Sequence, residues 1–190
     1  MGLSGNCPPP NKPGCGAPDD TTGVKVDEGE PQLPKLTGAE RRARIDELTE
    51  NIAFKELKKI QKAHQPKAHF LDKHGAQTTL ASQVERADSA RNPTTGKIEM
   101  RRNRKTKLDE PNIPRAATRF ISHKDQLNAI NRAQLIFKRT GNLTLSSRPV
   151  EMHRKVGEGY KSDGLVYIEP TKTVVIMDEF GKLITAYAEY

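Results

Sequence analysis

The stretch of sequence that decides the fold is residues 165–187, which read LVYIEPTKTVVIMDEFGKLITAY. Three runs rich in apolar and β-branched residues, at 165–168, 173–177 and 183–187, alternate with the turn-forming sequences Pro170-Thr171-Lys172 and Asp178-Glu179-Phe180-Gly181. Short runs joined by tight turns are typical of consecutive antiparallel strands. The stretch therefore predicts a three-stranded antiparallel meander.

Two further strands are predicted on the N-terminal side of this meander, at 143–145 and 156–160. The second of them contains Gly157 and Gly159. No Gly-Lys-Ser/Thr sequence follows these glycines, and they lead into a strand, so they do not form a phosphate-binding P-loop. Glycines inside a strand instead indicate a bulge or the close approach of another backbone.

Helices are predicted ahead of the strands. Thr37-Gly38-Ala39-Glu40 has the pattern of a capping box, so a basic helix is expected to begin after Thr37 and to run to about Ala63. Pro66 is expected to end it. The rough apolar stripe of this helix, expected to face the core, consists of Ile45, Leu48, Ile52, Leu57 and Ile60.

The middle of the chain predicts shorter elements. A helical turn is expected at 69–75, a helix capped by Thr78 or Thr79 should extend to about Ala90, and a short extended segment covers 117–121. Ser122-His123-Lys124-Asp125 predicts the start of another helix, which Gly141 ends. Residues 92–114 show no clear element and hold the basic run 101–107, so we expect a long loop that is either functional or mobile.

This order of elements predicts an α+β fold, in which an N-terminal helical lobe precedes an antiparallel β-sheet. Residues 1–36 are expected to be a disordered linker, because their Pro/Gly-rich and polar composition buries too little to offset the entropy of ordering. Residues 37–66 form the basic amphipathic helix, and residues 67–190 form the main domain.

Composition narrows the classes of function. The net charge of +8 favours polyanionic partners, which are nucleic acid, acidic membrane surfaces or an acidic protein. No apolar run is long enough to span a bilayer, and Met1-Gly2-Leu3-Ser4-Gly5 does not have the pattern of a Sec signal. Both cysteines lie in the linker, and no Cys/His cluster, nucleophile elbow or acidic magnesium cluster occurs, so no metal or cofactor is expected.

Two of the five histidines, His69 and His74, flank a single turn. Two neighbouring imidazoles suit general acid–base chemistry, although a packed histidine that bonds only to backbone is the commoner use. The other three, at 64, 123 and 153, are interpreted as surface residues.

The last predicted strand carries a second group of polar side chains. Strict alternation puts Leu183, Thr185 and Tyr187 on one face, with Ile184 and the following alanines on the other. The two hydroxyls could reach one phosphate, although threonine and tyrosine are also ordinary strand residues.

These pieces occur in the order of a known family. The order is His69-x4-His74-Gly75, Thr79-Leu80 with Arg86 downstream, Ala117-Thr118-Arg119-Phe120, the helix segment Asn128-Ala129-Ile130-Asn131, Val156-Gly157-x-Gly159, and terminal Ile184-Thr185-Ala186-Tyr187. Over roughly residues 67–190 the chain resembles the ribonuclease A-like toxin domain at the C-termini of bacterial contact-dependent inhibition proteins and other polymorphic toxins.

The resemblance implies a helical lobe followed by a twisted antiparallel sheet, and metal-independent RNA cleavage, with tRNA as one candidate, through a 2′,3′-cyclic phosphate. It implies that His74 is the catalytic histidine, that Thr185 and Tyr187 are the family's Thr-x-Tyr pair, and that Arg86, or Arg119 in its place, stabilises the phosphate. His69 matches the family's other histidine, for which a structural role is equally expected.

The resemblance also implies partners and a compartment. We expect an RNA substrate, a cognate immunity protein, expected to be acidic, and a larger delivery polypeptide or secretion apparatus. The domain would leave the producing bacterium without a Sec signal and act in the cytoplasm of a competitor. Two alternatives stay open: a basic nucleic-acid-binding module without chemistry, and a related toxin that attacks DNA. Wide separation of His74, Thr185 and Tyr187 would favour the binding module.

Overall fold

A computed structural model describes residues 36–190, so the predicted linker lies outside the described residues except for Leu36. The helices in the described part are α1 (Gly38–Ala63), α2 (Phe70–His74), α3 (Leu80–Ser89), α4 (His123–Thr140) and α5 (Leu143–Ser146). The strands are β1 (Met100–Arg102), β2 (Asp109–Pro111), β3 (Ala116–Phe120), β4 (Val150–Glu151), β5 (Gly157–Lys161), β6 (Tyr167–Ile168), β7 (Lys172–Met177) and β8 (Leu183–Glu189). All strand pairs are antiparallel, which confirms the α+β fold.

The predicted helix caps are confirmed. The Thr37 hydroxyl accepts from the Glu40 amide at 3.2 Å while the Glu40 carboxylate accepts from the Thr37 amide at 2.6 Å, which completes the capping box. Thr79 and Ser122 cap α3 and α4 by the first of these bonds only, since their hydroxyls accept from the Ser82 and Asp125 amides. Gly141 ends α4 with φ 63°, a left-handed conformation that glycine adopts without strain.

The prediction of a single three-stranded meander is wrong, because its strands belong to two different sheets. β7 and β8 do form the predicted hairpin, and β4 lies on the other side of β7. β6 instead pairs with β5, whose other neighbour is β3. The chain between β6 and β7 does not form the predicted hairpin turn. The carbonyl oxygen of the buried Pro170 accepts a hydrogen bond from the Val156 amide at 3.0 Å, and this segment passes from one sheet to the other.

The predicted strand at 143–145 is also wrong, since these residues belong to α5. The Asn142 side chain accepts from the Leu145 amide at 3.1 Å and caps the turn. Three alternating residues are too few to separate a strand from one helical turn.

Residues 92–114, predicted to be a loop without structure, contain the hairpin β1–β2. The turn Asn92–Lys97 precedes this hairpin, and the turn Asn103–Leu108 joins its two strands. The two turns have the same construction. In each turn the asparagine side chain accepts two backbone amides, at 2.9 and 3.1 Å from Asn92 and at 2.9 and 3.3 Å from Asn103. Strands β1 and β2 are charged and mostly exposed, so they lack the apolar alternation that predicts strands.

Helix α1 packs only along its C-terminal half. Leu57 is fully buried in a core that also includes Phe70, Ile130 and Leu183. The stripe predicted to face this core is wrong over its first half, because Ile45, Leu48 and Ile52 are 62, 52 and 67% exposed. No helix in the described part of the chain is long and apolar enough to cross a membrane.

The glycine-spaced strand β5 makes the close approach that its sequence predicts. A Cβ at Gly159 would lie 2.0 Å from the Ala117 carbonyl oxygen of β3, and one at Gly157 would lie 2.3 Å from the Ala188 Cβ of β8. The Thr118 hydroxyl donates to the Ala188 carbonyl at 2.6 Å. These contacts hold β8 against β3 and set one wall of the site.

Candidate active site

Strand β8 contains a bulge that decides which side chains share a face. Leu183 pairs with Met177 and Thr185 pairs with Ile176, so Ile184 is an extra residue between consecutive pairs. Leu183 therefore turns into the core with Ala186, and the prediction that it shares a face with Thr185 is wrong. Strict alternation fails because a bulge shifts the face by one residue.

The helical lobe holds this bulge from the other side. The His69 amide donates to the Ile184 carbonyl at 3.1 Å, and the Leu183 amide donates to His64 Nδ1 at 3.1 Å. His64 is therefore not the solvated residue that its position at the end of α1 suggested. These two bonds hold the segment between α1 and α2 against β8. The histidine pair therefore lies next to the strand that carries Thr185 and Tyr187.

A cavity of about 700 Å³ lies where these elements meet. Its lining includes five of the six predicted site residues: His69, His74, Arg86, Thr185 and Tyr187. The ring centroids of His74 and Tyr187 are 5.5 Å apart. The wide separation that would favour a binding module without chemistry is not observed.

The protonation of His74 follows from its partners. Its Nδ1 lies 2.9 Å from the Thr118 carbonyl oxygen, which can only accept, so Nδ1 carries the hydrogen. An Arg86 nitrogen lies 3.5 Å from the same Nδ1, but two donors do not bond, so that contact is a proximity of groups rather than a hydrogen bond. Nε2 is left with its lone pair, as a base requires.

Burial and the neighbouring Arg86 charge set the pKa of His74. Complete desolvation is the largest cause and the arginine the next, and together they lower the pKa well below its usual 6.5. The bond to Thr118 opposes this shift but does not reverse it. His74 is therefore neutral at pH 7, ready to take a proton.

Arg86 comes from α3 and is the cation deepest in the site. Burial lowers the pKa of its guanidinium, which the charge of Glu99 opposes. Within residues 36–190 it makes no ion pair with a carboxylate. Glu99 is instead paired with Lys73 and accepts from the Asn92 side chain at 2.7 Å. A partly buried cation without an anion is a ready site for one.

The two hydroxyl groups on β8 differ in their surroundings. Thr185 Oγ1 is buried and has no hydrogen-bond partner in the described part of the chain. The Tyr187 ring is half-buried, and both desolvation and the charge of Glu189 raise the pKa of its hydroxyl. Tyr187 therefore keeps its proton at neutral pH and can donate it.

His69 lies at the edge of the same cavity. Its Nδ1 donates to the Lys67 carbonyl at 2.9 Å, and burial lowers the pKa of the ring. The backbone bond to Ile184 gives His69 a structural role through its amide, and its side chain contributes a second neutral imidazole to the wall.

Arg119 does not lie with the other five. Its guanidinium donates to Glu158 at 3.0 Å and to the carbonyl oxygens of Ala76 and Thr78 at 2.9 and 2.6 Å. These bonds tie β3 to β5 and to the segment before α3. The structure thus brings Arg86, and not Arg119, to the histidine.

The cavity lining also includes charged and aromatic residues that were not predicted, which are Arg115, Lys161, Glu189 and Tyr190. Glu189 continues the two-residue step from Thr185 and Tyr187, so the strand pattern alone could have identified it. Arg115 and Lys161 gave no signal in a chain with 32 lysines and arginines.

Comparison with protein-family models, with curated proteins and with solved structures finds no match for this chain. Among residues 36–190 no group of three or more His, Cys, Asp or Glu side chains lies close enough together to hold a metal ion. The functional interpretation therefore depends on the geometry of the cavity and on the resemblance drawn from the sequence.

Proposed function

We propose that the chain is an endoribonuclease that cleaves RNA without a metal, through a 2′,3′-cyclic phosphate. The observation that carries the proposal is the convergence of His74, Arg86, Thr185 and Tyr187 on one cavity. A neutral imidazole, a guanidinium without an ion-pair partner and two hydroxyls can supply the base, the charge stabilisation and the acid for transesterification of a phosphodiester.

His74 is the general base of this proposal. Its Nε2 removes the proton of the ribose 2′-hydroxyl, and the 2′-oxygen attacks the adjacent phosphorus. The hydrogen bond to the Thr118 carbonyl keeps the proton of the neutral ring on Nδ1. Nε2 is therefore unprotonated at the start of each turnover. Burial, and after it the Arg86 charge, lower the pKa of the ring and keep it neutral before the reaction.

Arg86 and Thr185 stabilise the pentacoordinate phosphorane. A guanidinium can donate to two equatorial oxygens at once, and it lacks a competing carboxylate in the described chain. The Thr185 hydroxyl, which has no partner there, gains one when it donates to a phosphate oxygen. Both groups are in position before substrate binds, which is what makes electrostatic stabilisation effective.

Tyr187 completes the step as general acid. Its hydroxyl donates a proton to the leaving 5′-oxygen as the P–O5′ bond breaks. The products are a 2′,3′-cyclic phosphate on one fragment and a 5′-hydroxyl on the other. The phenolate then recovers a proton from solvent, and His74 releases its proton there, so the balance of protons is zero.

The β1–β2 hairpin supplies a basic arm beside this cavity. Arg102, Arg104, Lys105 and Lys107 are exposed along it, whereas Arg101 is paired with Glu110 at 2.8 Å. Pro114 and Arg115, which follow the hairpin, line the cavity, and Glu99, which precedes the hairpin, is paired with Lys73 of the histidine turn. Its charges hold the RNA backbone without reading sequence.

The biological setting of the proposal rests on the family resemblance. The nuclease is the delivered domain of a bacterial toxin that acts in a competitor's cytoplasm. A larger polypeptide or a secretion apparatus carries it, and a cognate acidic immunity protein protects the producer. The net charge of +8 suits both RNA and an acidic inhibitor.

The proposal is tested by incubating the purified chain with total tRNA in EDTA. We expect cleavage by the wild-type chain and a loss of about 10²- to 10⁴-fold in His74→Asn, which keeps a donor for Thr118 but has no base. His153→Asn is the matched control, because His153 is exposed, lies outside the cavity lining, and has φ 54°, which asparagine tolerates.

Intact RNA with the wild-type chain would contradict the nuclease proposal. If binding remained and weakened steeply with salt, the non-catalytic module would be the better account. Cleavage of DNA in place of RNA would support the related DNA-directed toxin. Full activity in His74→Asn would reject the site assignment while leaving nuclease activity in place.

A further inference from the structure

We infer that Tyr190 and Glu189 form a nucleobase subsite at the outer end of the cavity, where Tyr190 stacks on a base and Glu189 accepts from the donor edge of that base. The inference rests on the proposed function, because the cavity must take RNA for the subsite to be used. It goes beyond that function by assigning the residues that choose the nucleotide.

The geometry of β8 sets the two ends of the cavity. Thr185, Tyr187 and Glu189 follow each other at two-residue steps on one face, and each step along a strand covers about 6.8 Å. Thr185 and Tyr187 line the cavity together with Arg86 and His74, and the His74 ring lies 5.5 Å from the Tyr187 ring. Glu189 is two steps further along, roughly 13 Å of strand from Thr185, which leaves space for a ribose and its base.

Charge argues that a base, and not a phosphate, occupies the outer end. The carboxylate of Glu189 repels phosphate oxygens and is the one acidic side chain in a lining that also has Arg86, Arg115 and Lys161. Carboxylates are suitable acceptors for the amino and imino hydrogens of a base edge. A phosphate is better placed beside Arg86, where no carboxylate pairs with the cation in the described chain.

Tyr190 supplies the stacking surface. It is 68% exposed although it lines the cavity, in a chain with only 5% aromatic residues. The Lys161 ammonium lies 4.5 Å from its ring centroid, which holds the ring by a cation–π contact. Exposed aromatic rings beside basic side chains are the usual platforms for unpaired bases in RNA-binding proteins.

The experiment measures binding of single-stranded 2′-O-methyl oligonucleotides, which lack the attacking hydroxyl and so stay intact. We expect Tyr190→Ala to weaken binding at least about fivefold and Tyr190→Phe to bind as the wild-type chain does. Phe180→Ala is the matched control, because Phe180 is 77% exposed and lies outside the cavity lining.

The same oligonucleotide with one abasic position, moved along the strand, identifies the stacked base. At one position the abasic strand should bind the wild-type chain and Tyr190→Ala equally, because the contact is already lost. Equal binding by Tyr190→Ala and the wild-type chain to the unmodified strand overturns the inference and leaves the nuclease proposal standing. Failure of the wild-type chain to bind any strand overturns both.

Glu189 is tested with the same binding assay. Its charge also raises the pKa of Tyr187, so an effect on cleavage rate would not separate base recognition from proton transfer. At the position identified by the abasic series, the wild-type chain should prefer bases that have a donor on this edge over N3-methyluracil, which has none, and Glu189→Gln should reduce that preference at least about threefold. An unchanged preference contradicts the role of Glu189 in the subsite.

Discussion

The two partly buried arginines of this molecule, Arg86 in the cavity wall and Arg119 between β3 and β5, have opposite surroundings. Arg119 donates to a carboxylate and to two carbonyl oxygens, so its donors are used inside the fold. Arg86 meets a histidine that is itself a donor, and within the described chain it has no paired carboxylate. The first charge has an ion-pair partner, whereas the second is offset only by the longer-range charge of Glu99.

This difference separates an arginine that stabilises the fold from one that serves a ligand. A buried charge without a partner costs free energy, and a fold tolerates it where a ligand supplies the missing anion. The sequence offered the two arginines as alternatives for one role. Their hydrogen bonds favour Arg86 over Arg119 for the phosphate-binding role in the proposed reaction.

Replacing Arg86 should give the largest effect. Arg86→Met is expected to lower kcat/KM by about 10²- to 10³-fold, because the phosphorane loses its main cation. The free energy of unfolding should stay the same or rise, since an uncompensated charge is removed. Single-turnover cleavage rates together with urea denaturation check both parts, and a large loss of stability would show that Arg86 is structural.

Replacing Arg119 should give the reverse pattern. Arg119→Met is expected to cost about 3 kcal/mol of unfolding free energy, because it leaves Glu158 and two carbonyls without their donor. The rate per folded molecule should change little. The comparison fails if Arg119→Met stays stable and loses activity, which would return the catalytic role to Arg119.

Local signals in the sequence predicted the elements whose causes are local. Thr37, Ser122 and Gly141 act on residues within one turn of themselves, so their helix boundaries were predicted correctly. The convergence of His74 with Thr185 and Tyr187 was expected from the family order, although the contacts that produce it were not.

Sequence reasoning missed one feature that depends on distant partners and two that depend on local turns. The bulge at Ile184 is held by His64 and His69, which lie more than one hundred residues away, and strict alternation cannot anticipate it. β6 pairs with β5 across a local turn at Asp163-Gly164, where Gly164 has φ 69° and the Lys161 amide donates to the Val166 carbonyl at 3.0 Å. The hairpin β1–β2 is set by two asparagine turns between charged strands, which apolar patterns do not reveal.

Because His74 is neutral in the folded state, the free energy of unfolding should depend on pH. We expect this effect to be smaller than those of the arginine substitutions. Its folded pKa is lowered by burial and by Arg86, while the unfolded chain takes up a proton near pH 6.5. Below that pH the unfolded state binds more protons, so the free energy of unfolding should fall as pH drops from about 6.5 toward the folded pKa.

Denaturation in urea at pH 7 and pH 5 measures this slope. The wild-type chain should lose more stability between the two than His74→Asn, which has no imidazole to protonate. The burial of His69 adds a contribution of the same sign that both chains share. Equal slopes would contradict the neutral, buried state of His74.

The smallest effect is expected from Thr185→Val, which keeps the shape and removes the hydroxyl. Activity should fall about tenfold, because one phosphate contact is lost. Stability should rise by up to about 1 kcal/mol, since a buried oxygen without a partner in the described chain is replaced by a methyl group. Thr173→Val is the matched control, because Thr173 Oγ1 is likewise buried without a partner but lies outside the cavity lining; it should leave activity unchanged.

The central claim is transesterification at a 2′-hydroxyl without a metal, and the chemistry of the product ends tests it most directly. A defined RNA should be cleaved in EDTA to fragments that end in a 2′,3′-cyclic phosphate and begin with a 5′-hydroxyl. The same strand with a single 2′-deoxynucleotide at the cleaved position should stay intact there. Fragments with a 3′-hydroxyl and a 5′-phosphate, or cleavage at the deoxynucleotide, would contradict the claim.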